Sequence, residues 1–431
     1  MPAIKIRTIT IIASCIIIVF SCFKSAGLLR AYGSVDLRCR IVGVRISGTQ
    51  NSPYFYKWHE KDSLIFLDPN DRLGRKVNGN VVTPAVLKFF FPLSHLSYKS
   101  IQTIWAFLQY FFLLSSLFLT GILNRITEYK KSIKVLLIAI FYLCSNIWFY
   151  NIERGQIYTF YLFSFSLIYY FSSVDWKFGK FLAGCINTFT FFLRPLVIVF
   201  LFSGIYQRSK MWMAGCICGG IVGLLFFVLP VVTQWNDYFS AMKEYSYEIT
   251  GKTSQMDEVR QVPDIIEGVD NLQKSMGFQC GGLSTVQYYL AAKRICKNID
   301  SVELIIGYCI IAGLFCFLYF KKALYTLDKD HVFLFSFFLY ILAELFIIGY
   351  RGGYNQVEWL FGISLLCKRK YLPTTLLIVV AIALTLENIY LNIFRFQFEL
   401  AEITLLAVLL YVIFVKSDDA DFKHGSVMNF Q

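Results

Sequence analysis

Charge is what this sequence has least of. Asp, Glu, Lys and Arg make up 16% of its 431 residues, where soluble domains carry about 25%. That shortage, beside 57% hydrophobic residues, excludes an ordinary soluble enzyme and a disordered chain. Metal-ligand spacings are missing too. There are four histidines in all, and no C-x-x-C or paired His pattern points to a metal site. No A-x-A processing signal follows the first apolar run, Ile9 to Phe23; Lys24 and Arg30 stand there instead, so the run reads as an uncleaved anchor. No internal repeat is evident, which argues against a transporter built from inverted halves.

The cysteines do not indicate a disulfide-rich secreted domain. Nine of the twelve lie inside apolar runs, where Cys behaves as a small hydrophobe. Cys39, Cys280 and Cys296 lie outside them. A Cys280–Cys296 bridge is open in an oxidising compartment, although nothing in the spacing requires it.

What is present is a series of long apolar runs. Trp105 to Leu123, Met211 to Val232 and Leu304 to Phe320 each approach the roughly 17–25 residues that a helix needs to cross a bilayer. Candidate spans fall near 8–29, 101–123, 133–150, 156–173, 180–193, 196–206, 211–233, 302–320, 331–349, 355–367, 372–391 and 399–416. The sequence therefore predicts an all-α polytopic membrane protein of about 10–12 spans, one integral domain over residues 1–431. The net charge of +13 sits mostly in short loops between spans, the pattern of membrane topology rather than of nucleic-acid binding. Placing those loops on the cytoplasmic side puts both termini there, with a tail over 417–431, provided that 180–206 is two short segments meeting at Arg194-Pro195. Two long segments, 30–100 and 234–301, then face the opposite side. They are too aromatic for disorder and are expected to form short amphipathic helices.

Three places carry candidate chemistry. Asp36, in Gly33-Ser34-Val35-Asp36-Leu37-Arg38-Cys39-Arg40, sits just beyond the first span, where a base would meet an acceptor hydroxyl and a lipid-linked donor; it could equally cap the helix Leu37 to Ile46. Asn151-Ile152-Glu153-Arg154-Gly155-Gln156-Ile157-Tyr158 forms a turn in which Gly155 allows close approach. Its Arg154 and Gln156 can donate to an anionic or hydroxylated ligand, or Glu153 and Arg154 are simply solvated. Arg194 lies at bilayer depth, which costs about 2.5–3.5 kcal/mol on insertion scales. It either snorkels at the broken helix or binds an anion such as phosphate in a water-filled cavity. Glu344 is a possible partner for it, and Arg351 offers another outward cation. Asp36 and Arg194 are expected to open into one external cavity.

The order of these features resembles the GT-C membrane glycosyltransferases, most of all glycosyltransferase family 87. An Asp follows the first helix, and Val82-Thr83-Pro84 stands where the family has Y-P-P. Gly155-Gln156-Ile157-Tyr158 corresponds to G-Q-x-N, and Arg194-Pro195 to Lys-x-x-Pro. The resemblance runs over most of residues 1–370. It implies a GT-C-like bundle with Asp36 as catalytic base and Gln156 and Arg194 at the donor. It also implies transfer of mannose or another hexose or pentose from a polyprenyl phosphate to a glycan or lipid-linked hydroxyl on the non-cytoplasmic face. Inversion fits one base and one displacement, and no cofactor beyond the lipid-linked donor is called for. Arg154 and Arg351 could join Arg194 in holding the leaving phosphate. Frequent Phe, Ile, Lys and Tyr suggest a bacterial chain, hence a plasma membrane and an envelope glycan. Two rival functions are a polysaccharide polymerase or ligase, and a flippase or transporter of lipid-linked sugars.

Overall fold

The computed structural model describes residues 2–68, 76–121, 138, 141–250, 286, 301–323, 329–346, 353–369, 373–388 and 397–415. Among them there is no strand. Fifteen α-helices follow one another, and four helical stretches are long and apolar enough to cross a membrane: Ile11–Tyr32, Tyr98–Leu119, Lys210–Glu244 and Val302–Lys321. Shorter apolar helices accompany them, among them Pro195–Tyr206 and Leu400–Phe414. Arg351, Cys280 and Cys296 lie outside the described residues. The ten described cysteines are free thiols.

The chain forms two compact units. The first holds residues 1–283 and 349–361, the second 284–348 and 362–431.

The first unit opens with α1 (Pro2–Tyr32) and α2 (Val35–Ser47), and reaches α3 (Pro84–Phe90) and α4 (Tyr98–Leu119) after a largely irregular segment. Several helix starts are written in the sequence as hydroxyl caps, which satisfy an orphan backbone N–H. Thr83 accepts from the Val86 N–H with Pro84 in the first turn, and Ser97 accepts from the Ser100 N–H. Ser145 does the same for α5 (Asn146–Arg154), accepting from Trp148. The helices α6 (Tyr158–Ser173) and α7 (Lys177–Leu193) follow.

At Arg194 the helix stops. The residue is extended, with φ −144° and ψ 98°, and Pro195–Phe200 continues as a 3₁₀ turn into the short α8 (Leu201–Tyr206). Proline disfavours helical backbone at the residue before it and cannot donate its own N–H. The expected break at Arg194-Pro195 is therefore found.

Helix α9 (Lys210–Gly223) packs against α7 through small residues. Gly215, Gly219 and Gly223 recur every fourth residue, and a Cβ on any of them would meet Phe181, Cys185 or Phe192. Close backbone approach of this kind holds helices together where lipid removes the hydrophobic drive. At this contact the Thr188 hydroxyl donates to the Cys216 carbonyl at 3.1 Å. A π turn over Leu224–Val228 and a 3₁₀ turn at Pro230 carry the helix on into α10 (Val232–Thr250). The 3₁₀ segment Gly353–Trp359 completes this unit, lying against α5 and α6.

The second unit holds α11 (Ser301–Ala323), α12 (Lys329–Phe346), most of α13 (Leu360–Lys368), α14 (Thr374–Asn388) and α15 (Gln397–Leu410). Every residue of α12 from Val332 to Glu344 is buried, as expected of a helix apolar all round. Tyr319 of α11 stacks on Phe335 of α12 at 4.1 Å between ring centroids and bonds His331 Nδ1 at 2.9 Å.

Candidate functional site

The site starts where α1 ends. Gly33 and Ser34 both take left-handed backbone, with φ of 73° and 54°, and turn the chain sharply into α2. Tyr98, at the start of α4, shares its hydroxyl proton between the carbonyls of Gly33 and Ser34 at 2.6 and 2.8 Å. Gln102, one turn on, donates to the Leu29 carbonyl at 2.9 Å. The first long apolar helix therefore finishes beside the beginning of the second, and the site lies at that shared end.

Asp36 is the second residue of α2. Ser34 precedes the helix without a side-chain cap, and the Asp36 carboxylate is not turned back to cap it. It reaches across to the end of α5, 118 residues away in sequence. Arg154 grips it with two parallel bonds, Nε to Oδ2 at 2.8 Å and Nη2 to Oδ1 at 2.9 Å, the bidentate geometry that gives such pairs their strength and direction. The Gln156 side-chain amide donates to the same Oδ2. The capping reading of Asp36 is corrected here, because an opposite charge in forked geometry outcompetes backbone N–H groups.

Gly155 makes this meeting possible. It ends α5 in left-handed backbone at φ 64°, and its N–H and that of Gln156 close the helix on Ile152 and Asn151. A Cβ at 155 would lie 2.6 Å from Leu37 Cβ and 3.0 Å from Ser34 Cβ, so only glycine lets α5 and α2 approach this closely.

Arg40 completes the cluster. One helical turn from Asp36, it is buried and donates Nη1 to the Gly155 carbonyl at 3.0 Å and Nη2 to Gln156 Oε1. Because Arg40 takes the amide oxygen, the amide nitrogen of Gln156 points at Asp36. Trp105 Nε1 donates to the Gln156 carbonyl at 3.1 Å, fixing its backbone from α4. Glu153, which one of the two readings of this turn left solvated, is 5% exposed. Burial, reinforced by Asp36 and opposed by Arg154, pushes its carboxyl up to about 7.

Arg194 sits in a neighbouring aromatic setting. Its guanidinium lies over the rings of Tyr158 and Tyr161, at 5.0 and 5.2 Å from their centroids, and Nη1 is 3.3 Å from Oε1 of the fully buried Glu358. The sequence suggested Glu344 as its partner; the carboxylate the structure places at this guanidinium is Glu358. The Tyr158 ring is 5.5 Å from that of Tyr354. Burial, followed by the negative field of Asp36, holds the Tyr354 phenol well above its ordinary value. Asp36, Arg154 and Gln156 thus form one hydrogen-bonded cluster, while Arg194 belongs to a second, connected to the first through Tyr354 and Tyr158. A cleft beside α2, bordered by Cys39, Gly43, Tyr56 and Asn80, is lined by neither Asp36 nor Arg194.

Sequence reasoning missed Arg40, Glu153 and Glu358. Arg40 stands four residues from Asp36 on a helix, spacing that shares a face, and Glu358 is a lone charge within an apolar run, itself a functional signal in membrane segments. For the burial of Glu153 no sequence signal was available.

No curated protein and no solved structure matches the chain. Residues 83–277 match the model of Glycosyltransferase family 87. The matched stretch holds Arg154, Gly155, Gln156 and Arg194, whereas Asp36 and Arg40 precede it. The resemblance to that family is shown over this stretch, and the described residues include four helices long and apolar enough to cross a membrane.

Proposed function

We propose that the chain transfers a hexose or pentose from a polyprenyl phosphate to a hydroxyl of a glycan or lipid-linked acceptor, on the non-cytoplasmic face of a bacterial plasma membrane. The observation that carries this reading is the contact between Asp36 and Arg154 at the end of α1: a candidate base touching a cation suited to phosphate, where a lipid-borne substrate arrives.

Asp36 accepts the proton of the acceptor hydroxyl as its oxygen attacks C1 of the sugar. The bond from C1 to the phosphate oxygen breaks, and the polyprenyl phosphate leaves as a dianion. One displacement inverts the anomeric centre. A positioned base contributes about 10²–10⁴-fold. The leaving phosphate needs charge stabilisation more than a proton, which Arg154 supplies, with Arg194 and Arg351 as further donor-side cations. Arg154 cannot keep both Asp36 oxygens and bind phosphate with the same N–H groups, so the incoming donor loosens the ion pair and leaves the carboxylate freer to take a proton. Gln156, held by Arg40, keeps Asp36 in position meanwhile.

The test is transfer by the purified protein from a panel of polyprenyl-phosphate hexoses and pentoses, comparing wild type with Asp36→Asn. Loss of transfer in a variant that inserts and folds supports the reading; full activity in Asp36→Asn removes Asp36 from the mechanism. Arg194→Ala separates an enzyme from a carrier. Transfer lost in detergent supports the enzyme, whereas a defect confined to transport in sealed vesicles supports a flippase.

A further inference from the structure

The length of α4 fixes where the bilayer begins. Its 22 residues, rising 1.5 Å each, span about 33 Å, close to the roughly 30 Å of hydrocarbon in a bilayer. Tyr98 therefore stands at one boundary and Leu119 at the other. The Tyr98 hydroxyl bonds the carbonyls of Gly33 and Ser34, immediately beyond α1, a second helix of membrane length. Two spans thus end together, with Tyr32 and Tyr98 where amphipathic rings favour the headgroup layer.

Arg45, near the end of α2, brings part of the segment between α2 and α3 to that level. Its Nε and Nη2 donate to the carbonyls of Ser94 and Leu96, at 3.0 Å each, in the turn that leads into α4. Its Nη1 donates to the Ile65 carbonyl at 3.1 Å. One guanidinium therefore holds the 3₁₀ turn Leu64–Phe66 beside a residue two places before Tyr98. That turn points large apolar side chains outward: Leu64 is 71% and Ile65 51% exposed, and Phe91 and Leu96 are exposed as well. Large apolar groups left outside the packed protein at one place mark a contact surface.

Continuity and charge both name the occupant. Along α4, Ile104, Phe107, Phe111 and Phe118 are exposed at helical spacing and form one apolar stripe; on a spanning helix such a stripe faces lipid, and the patch lies at its upper end. Between Pro84 and Thr103 the formal charges are Lys88 and Lys99, with no carboxylate, and Lys88 Nζ lies 4.9 Å from the Phe91 ring centroid. Cations at this depth suit lipid phosphates, with their stems on apolar surface. Asp62, the acid next to the turn in sequence, is held by the Tyr56 hydroxyl at 2.7 Å and the His59 N–H at 2.6 Å. We propose that Leu64 and Ile65, flanked by Phe91 and Leu96, insert into the leaflet at which α1 and α4 end. The bilayer thereby anchors this segment and, through Arg45, the helix that carries Asp36. The proposal is independent of sugar transfer.

The experiment uses the full chain in nanodiscs of phosphatidylcholine and phosphatidylglycerol, with Leu64→Trp and Ile65→Trp made separately. The emission that each adds to that of the seven native tryptophans is the reading. It should be blue-shifted from that of tryptophan in water and largely lost when the lipid carries bromine near the glycerol end of its acyl chains. Bromine at the chain ends should quench it less, and iodide in the aqueous phase should barely touch it. Emission that iodide quenches and brominated lipid spares overturns the insertion. So does emission shielded from both, since a second copy or another protein would then cover the patch. The unaltered chain gives an independent reading: a phospholipid with a diazirine on its acyl chain should, on irradiation, label the tryptic peptide spanning 62–72, and a peptide that stays unlabelled while the α4 peptide is labelled overturns the insertion without any variant.

Discussion

The Asp36–Arg154 pair can be separated into its structural and chemical parts by a double-mutant cycle. Its side chains are 22% and 15% exposed, so the pair is mostly withdrawn from water. Removing one partner from a buried pair costs about 3–5 kcal/mol, and the residual exposure here brings the expectation to about 2–3 kcal/mol for either Asp36→Asn or Arg154→Gln. Each single variant strands a half-buried charge. The double variant strands none and keeps the Gln156 contact to position 36, so its loss should fall short of the sum by more than about 1 kcal/mol, within the range seen for groups in direct contact. Reversible unfolding in mixed micelles measures this, and the transfer assay runs on the same samples. The double variant should be more stable than the summed single losses allow while transfer stays at least about 100-fold down, since a base has been lost. Additive stability changes would refute the ion pair. Recovery of transfer together with stability would show that Asp36 serves only to neutralise Arg154.

Three further outcomes follow from the same geometry. Glu153 is protonated in the fold up to about pH 7 and in the unfolded chain only to about 4.5, so the folded state binds more protons between these values and stability falls as pH rises through that window. Glu153→Gln should therefore gain on wild type progressively from pH 4.5 to 7, by at most about 3 kcal/mol; a difference constant with pH in thermal melts contradicts a raised carboxyl. Gly155→Ala places a methyl 2.6 Å from Leu37 Cβ in left-handed backbone, which should cost at least about 2 kcal/mol and displace α2 enough to depress transfer; a stable, fully active Gly155→Ala protein rules out the close approach. Glu358→Gln leaves Arg194 charged beside a neutral amide and should destabilise by about 3 kcal/mol, read in the same unfolding assay. A change under about 0.5 kcal/mol would mean that Glu358 is not what balances Arg194.

Much of this architecture was legible because it is local. Apolar runs of membrane length, hydroxyl caps such as Ser97 and Ser145, the glycine that ends α5, and the proline that breaks the helix after Leu193 each act within a few residues, so the sequence displays them directly. Asp36, Gln156 and Arg154 could likewise be singled out, as polar groups at the ends of apolar runs. Their assembly could not. Asp36 finds Arg154 118 residues away, Arg40 aims Gln156 from a distance of 116, and Arg194 meets Glu358 across a helix break, all through the packing of α2, α5, α6 and the Gly353–Trp359 segment. The burial of Glu153 is likewise a property of the packed state, since whether a side chain keeps its water depends on what the rest of the chain lays over it. By itself the sequence determined the class of structure and the chemical types at each helix end. Only the tertiary structure decided which charges neutralise one another and which side chains are buried, because those outcomes depend on distance in space rather than on spacing along the chain.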